Sequence, residues 1–104
     1  MHGRYARYTY TGDAHELARK AEEGIVPILQ AQPGFRSYTV SESDGEILSV
    51  SAWDSAEEAE AANAPVAEWV AANLADRLDL QELRIGEILF STLLGITTKT
   101  GAAA

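Results

Sequence analysis

The chain has 104 residues, 46% hydrophobic and 23% charged, with sixteen Asp or Glu against eight Lys or Arg and a formal net charge of −8. It is too apolar for a disordered chain and lacks the roughly 18 consecutive apolar residues of a membrane span, while its negative charge disfavours phosphate backbones and anionic lipid; neither nucleic acid nor a membrane is expected as a partner. The absence of Cys removes disulfides, thiolate nucleophiles and Cys-type zinc sites, and with no apolar leader at Met1-His2-Gly3-Arg4 the expected location is cytoplasmic.

Residues 4–10 are rich in Tyr and Thr, which suit a half-buried pleated surface, and predict a first strand ending at Thr11-Gly12-Asp13. Asp13 followed by Glu16 is a capping-box pattern, and Leu17, Ala18, Ala21, Ile25, Ile28 and Leu29 recur at helical spacing behind it. Gly24 and Pro27 weaken the second half of this helix and predict a kink, and Gln32-Pro33-Gly34 ends it. Residues 35–41 and 47–53 alternate as two strands around Asp44-Gly45, a pair that tolerates positive φ. Ser55 with Glu58 repeats the capping pattern and starts a second helix, which Asn63-Ala64-Pro65 interrupts and which resumes with Val66, Trp69, Val70, Leu74 and Leu78 as its stripe. A polar linker over 79–82 then leads to a last predicted strand over 84–92, with an apolar tail at 93–96 and an end over 97–104 that reads as disordered.

The order strand, helix, strand, strand, helix, strand predicts an α+β fold of the ferredoxin-like βαββαβ type: one domain with its core over 4–92, and an antiparallel sheet with both helices on one face. Apolar side chains fall on both faces of the third and fourth predicted strands. Two helices cover one face only, so a second copy of the chain is the expected cover for the other, giving a homodimeric α/β barrel that the apolar tail 93–96 also reaches.

Two segments in this order, Gln32-Pro33-Gly34-Phe35 and Ala52-Trp53-Asp54-Ser55-Ala56-Glu57-Glu58-Ala59, resemble the antibiotic biosynthesis monooxygenase family of the dimeric α/β-barrel superfamily over residues 4–92. The resemblance implies a homodimer with a ligand cavity in each protomer, between sheet and helices. Its members include cofactor-free quinone-forming monooxygenases and haem-degrading enzymes, as well as proteins without known activity. The cofactor-free pattern uses a Trp near the end of the third strand, an Asn four residues before it and an Arg in the second half of the second helix. Here Trp53 matches the Trp, Ser49 stands at the Asn position, and 71–73 at the Arg position carries no Arg. The haem-degrading pattern adds an Asn in the first strand and a His in the second helix. Tyr5 or Ala6 stands at the former and the helix has no His, so that branch is set aside and no cofactor is expected.

The residues themselves offer a candidate ligand set. Trp53 is either a cavity wall or a core aromatic, and the two-residue period of a strand puts Ser49 and Ser51 on its face, where their hydroxyls meet either a ligand or nearby backbone. Asn73 lies seven residues after Val66 and four after Trp69, on the predicted buried stripe, so its amide needs either protein partners or a ligand. Trp69 on the same stripe is a core residue or a second wall. Tyr8, Tyr10 and Tyr38 are phenols able to orient a substrate, or surface and interface residues. His2 and His15 are too scattered for a metal site. The expected function is a monooxygenase-like protein that binds a small apolar or aromatic molecule through Ser49, Ser51, Trp53, Trp69 and Asn73, against the alternative of a non-catalytic dimeric binding or stress-associated protein.

Overall fold

The computed structural model describes residues 1–101. Strand β1 (His2–Tyr10) leads to helix α1 (Ala14–Gln30), then to the hairpin of β2 (Phe35–Ser43) and β3 (Glu46–Trp53). Helices α2 (Ala56–Ala61) and α3 (Asn63–Asn73) form the interrupted second helical segment, followed by β4 (Leu78–Glu87) and a single helical turn, α4 (Thr98–Gly101). The four strands pair antiparallel in the order β2-β3-β1-β4, with the long helices on one face, the ferredoxin-like arrangement that the element order predicts.

Local chemistry accounts for the boundaries. The Asp13 carboxylate accepts from the amides of His15 and Glu16 at 2.8 and 3.0 Å and starts α1. Glu16 does not reach back to close the box; its carboxylate pairs instead with Arg77 and Lys20. Pro27 is accommodated within a continuous α1. Ser55 Oγ accepts the Glu58 amide at 3.2 Å, and its hydroxyl donates to Glu58 Oε1 at 3.0 Å. At the hairpin, Asp44 and Gly45 take φ of 51° and 82°, the left-handed pair that the tight turn requires.

Two buried clusters fill the space between sheet and helices. One gathers Ile25, Leu29, Trp53, Ala59, Ala62 and Val66, the other Ala6, Tyr8, Leu17, Ile47 and Leu74, and Trp69 and Val70 of α3 pack against both. Each fully buried large side chain contributes about 1.5–3 kcal/mol of transfer free energy.

The end of the chain differs from expectation. Strand β4 begins at Leu78, so the predicted polar linker over 79–82 is strand, and the strand stops before Ile88. The ladder with β1 contains a bulge that leaves Gln81 without a partner, which breaks the alternation a sequence reading depends on. In this register Glu82 and Arg84 face away from the helices, opposite Arg7 and Tyr5 of β1. The outer face of the last strand is therefore charged, and the apolar outer surface comes from Tyr5, Leu48 and Val50. Beyond β4, the Ile88 amide donates to the Met1 carbonyl at 2.9 Å, and Ser91 and Ile96 exchange two backbone bonds to close a small loop. Leu89, Phe90 and Leu93 project from this arm, at 68, 67 and 76% exposure. The stretch expected to be disordered contains the α4 turn; its residues 102–104 lie outside the described residues.

Candidate functional site

The predicted site residues divide between the core and the surface. Ser49, Ser51 and Trp53 share the helix-facing side of β3, as the strand period requires, and all three are buried. Trp53 is 0% exposed, packs edge to face on Phe35 with centroids 5.4 Å apart, and donates its indole N–H to Ser51 Oγ at 2.9 Å. Ser49 borders a residual void of about 20 Å³ between the sheet and α1, so this part of the interior is packed. Trp69 is half-buried between the two core clusters. Asn73, expected on the buried stripe, is exposed: at the last turn of α3 its Nδ2 donates to the Trp69 carbonyl at 2.9 Å, and Leu74 turns inward in its place.

The larger opening lies one step further along the same layer. A groove of about 360 Å³ runs between α3 and the β1–β4 side of the sheet, walled by Val66 and Val70 of α3 and by Leu78, Leu80 and Leu83 of β4. Its polar side chains are Arg4 and Tyr8 of β1 and Asn63 at the start of α3. Arg4, Ala6 and Tyr8 alternate on the helix-facing side of β1, which buries Arg4 to 5% exposure. Its Nε donates to Asn63 Oδ1 at 2.6 Å. The sequence reading misses Arg4 and Asn63. The signal available was the two-residue period itself, which aligns Arg4 with Ala6 and Tyr8 rather than with the outward Tyr5 and Arg7.

Tyr38, across the sheet on β2, has its phenol pushed up to about 12, first by burial and then by Tyr8, with Arg4 acting weakly the other way. It is a proton donor at neutral pH and not a base. Among the described residues, three other depressions are open to solvent: one of about 400 Å³ between α1 and β2, bordered by His15, Val26 and Tyr38, one of about 560 Å³ on the outer sheet face, bordered by Tyr5, Arg7, Leu48 and Arg84, and one of about 570 Å³ on the arm beyond β4, bordered by Phe90, Ser91 and Ile96. On the outer sheet face Arg7 pairs with Glu46 at 2.6 Å, and Arg84 with Glu82 at 2.7 Å; Arg84, and secondarily Arg7, holds the Glu82 carboxyl below its ordinary range. Among the described residues no three His, Cys, Asp or Glu side chains are grouped to hold a metal ion, and no helix is long and apolar enough to cross a membrane.

Comparison with known proteins adds the family. The antibiotic biosynthesis monooxygenase model matches residues 4–65. No curated protein matches the chain. Among solved structures, the chain is similar to SnoaB, a cofactor-independent oxygenase from Streptomyces nogalater, at 17% identity over 88% of this chain and 95% of that one, with a TM-score of 0.66. It is similar to Rv0793 from Mycobacterium tuberculosis at 18% identity, over 88% of this chain and 97% of that one, with a TM-score of 0.65. A dimeric ferredoxin-like protein from an uncultured marine organism aligns at 12% identity over 86% of this chain and 95% of its own, with a TM-score of 0.66. At such identities the structural likenesses establish the fold alone. The family match spans more than half the sequence, from β1 through the Pro33-Gly34-Phe35 turn and the Trp53-Asp54-Ser55 junction to the start of α3, and on that ground the chain belongs to the antibiotic biosynthesis monooxygenase family.

Proposed function

We propose that this protein binds a small, largely apolar aromatic molecule in the groove between α3 and β4 and oxidises it with molecular oxygen. The observation that carries this is the groove itself: about 360 Å³, walled by aliphatic side chains, with few polar groups converging on it. Trp53 and Trp69 belong to the rigid backing, since Val66 and Val70 pack with them and also face the groove. Ser49 and Ser51 stay within the packed layer, and Asn73 acts on the ligand only indirectly, by fixing the end of α3. A cofactor-free course suits such a site. An acidic aromatic CH₂ loses a proton, its carbanion gives electrons to O₂, and the carbon becomes a carbonyl while the second oxygen atom leaves as water. The protein's share is to exclude water and stabilise the anion.

We infer further that the working form is a homodimer. Tyr5 is 45% exposed on the outer sheet face beside Leu48 and Val50, and burying these three with the projecting arm would stabilise an assembly. The description of one similar structure as a dimeric ferredoxin-like protein agrees with this.

Oxygen uptake with a panel of phenolic and anthrone-type compounds tests the reaction. The expected result is uptake with an anthrone-type compound that Ala71→Trp, a surface substitution plugging the groove, abolishes. Uptake unaffected by Ala71→Trp would place the chemistry elsewhere. A non-catalytic binding protein is the second reading, favoured by the packing around Ser49, where only about 20 Å³ remains. Binding of the same compounds without any oxygen consumption would select it.

A further inference from the structure

We propose that the groove between α3 and β4 is an anion site, and that its ligand is an aromatic monocarboxylate whose carboxylate pairs with Arg4. This rests on the groove being the ligand site, as proposed above, and adds the ligand's chemical class.

The inference comes from how the arginines are paired. Arg7, Arg19, Arg36, Arg77 and Arg84 each lie within ion-pair distance of a carboxylate, and all five pairs are on the surface, where pairing stabilises little. Arg4 is the remaining arginine of the sequence and the buried one, and it takes part in none of the ion pairs among the described residues. This is the reverse of what a purely structural role calls for, because a guanidinium stays charged at any physiological pH and a buried charge is costly unless an opposite charge meets it. Among the described residues, which include all sixteen acidic ones, no carboxylate pairs with this buried guanidinium.

The geometry also selects the kind of anion. Asn63 occupies Nε, which leaves the end-on pair of Nη groups, a planar fork matched to the two oxygens of a carboxylate. Around it, Tyr8 supplies a phenol, and the aliphatic walls of Val66, Val70 and Leu83 take a ring but offer no second cation. One negative charge on an otherwise apolar body is therefore the complementary ligand. A dianion such as a phosphate ester would keep an uncompensated charge in the groove.

The test uses two probes that differ in charge and little in shape, 2-naphthoate and 2-naphthamide, titrated calorimetrically into the full-length protein and into Arg4→Met. The expected result is about tenfold or greater preference of the unmodified protein for the carboxylate. Arg4→Met should lose that preference and bind the amide about as well as the unmodified protein does. If Arg4→Met does not fold, the side-chain Nε–H resonance of Arg4 in the unmodified protein decides, and it should move with naphthoate and not with naphthamide. Equal affinities for the two probes would overturn the anion assignment while leaving an aromatic groove intact. A preference that survives Arg4→Met, or an Arg4 resonance indifferent to naphthoate, would overturn it by putting the carboxylate elsewhere. Failure of both probes to bind would remove the groove as a ligand site and this inference with it.

Discussion

Trp69 of α3 packs against Gly24 of α1, so closely that a methyl group at position 24 would fall 2.6 Å from the indole Nε1 and nearer still to the ring carbons. The glycine that weakens α1 as an isolated helix is thus what lets α1 and α3 approach over the sheet. In an exposed helix interior Gly→Ala gains about 1 kcal/mol. Here Gly24→Ala should instead destabilise by about 1–3 kcal/mol, the usual cost of overpacking. Urea unfolding of the two proteins checks the sign, and a gain in stability would mean that Trp69 moves freely.

The bond from Trp53 Nε1 to Ser51 Oγ joins two buried residues of one strand face. Ser51→Ala leaves the indole N–H without its partner inside the core and should cost about 1–3 kcal/mol. The loss should appear in thermal and denaturant midpoints. A variant as stable as the unmodified protein would show that the indole finds another acceptor.

Alkaline stability should report Tyr38. Its phenol ionises at about 12 in the folded protein, against an ordinary value of 10.0, so between these values the folded state holds a proton that the unfolded chain has released. Stability is therefore fully present below the ordinary value and declines as pH rises toward the folded one. Tyr38→Phe should flatten that decline when unfolding free energy is followed against pH. An unchanged slope would assign it to another group.

The proposed dimer should depend on the outer face of the sheet. Val50→Asp sets an acid among Tyr5, Leu48 and the Glu82–Arg84 pair; it should yield an 11.2 kDa particle in light scattering at micromolar concentration while leaving the circular dichroism of the protomer intact. Removal of 93–104, which deletes the exposed Leu93, should weaken association as well. Full dimer after both changes would place the interface elsewhere.

The elements set by local chemistry are legible in the sequence. The Asp13 and Ser55 caps and the Asp44-Gly45 turn each depend on a few adjacent residues, and each stands where the residue types put it; the break between the two helices falls at Ala62, so Asn63, Ala64 and Pro65, expected to interrupt the helix, form the first turn of α3. Features fixed by distant pairing are not legible in the same way. The start of β4 depends on its register with β1 and on the bulge at Gln81, and Asp79, Gln81 and Glu82 alone look like a linker. Asn73 follows the helical stripe on paper, but a helix that ends at that residue lets its amide fold back on the Trp69 carbonyl. Arg4 is the opposite case: alternation alone places it inward, and a charged residue at an inward strand position is easily passed over beside more familiar motif residues.

The most direct test of the groove is a crystal structure of the protein grown from material isolated with its cellular ligands. Flat, ring-shaped density between α3 and β4, in contact with Val66, Val70 and Leu83 and with an acidic group at Arg4, is the predicted result. Such density on the outer sheet face or beside His15 and Val26, with the groove between α3 and β4 empty, would contradict it.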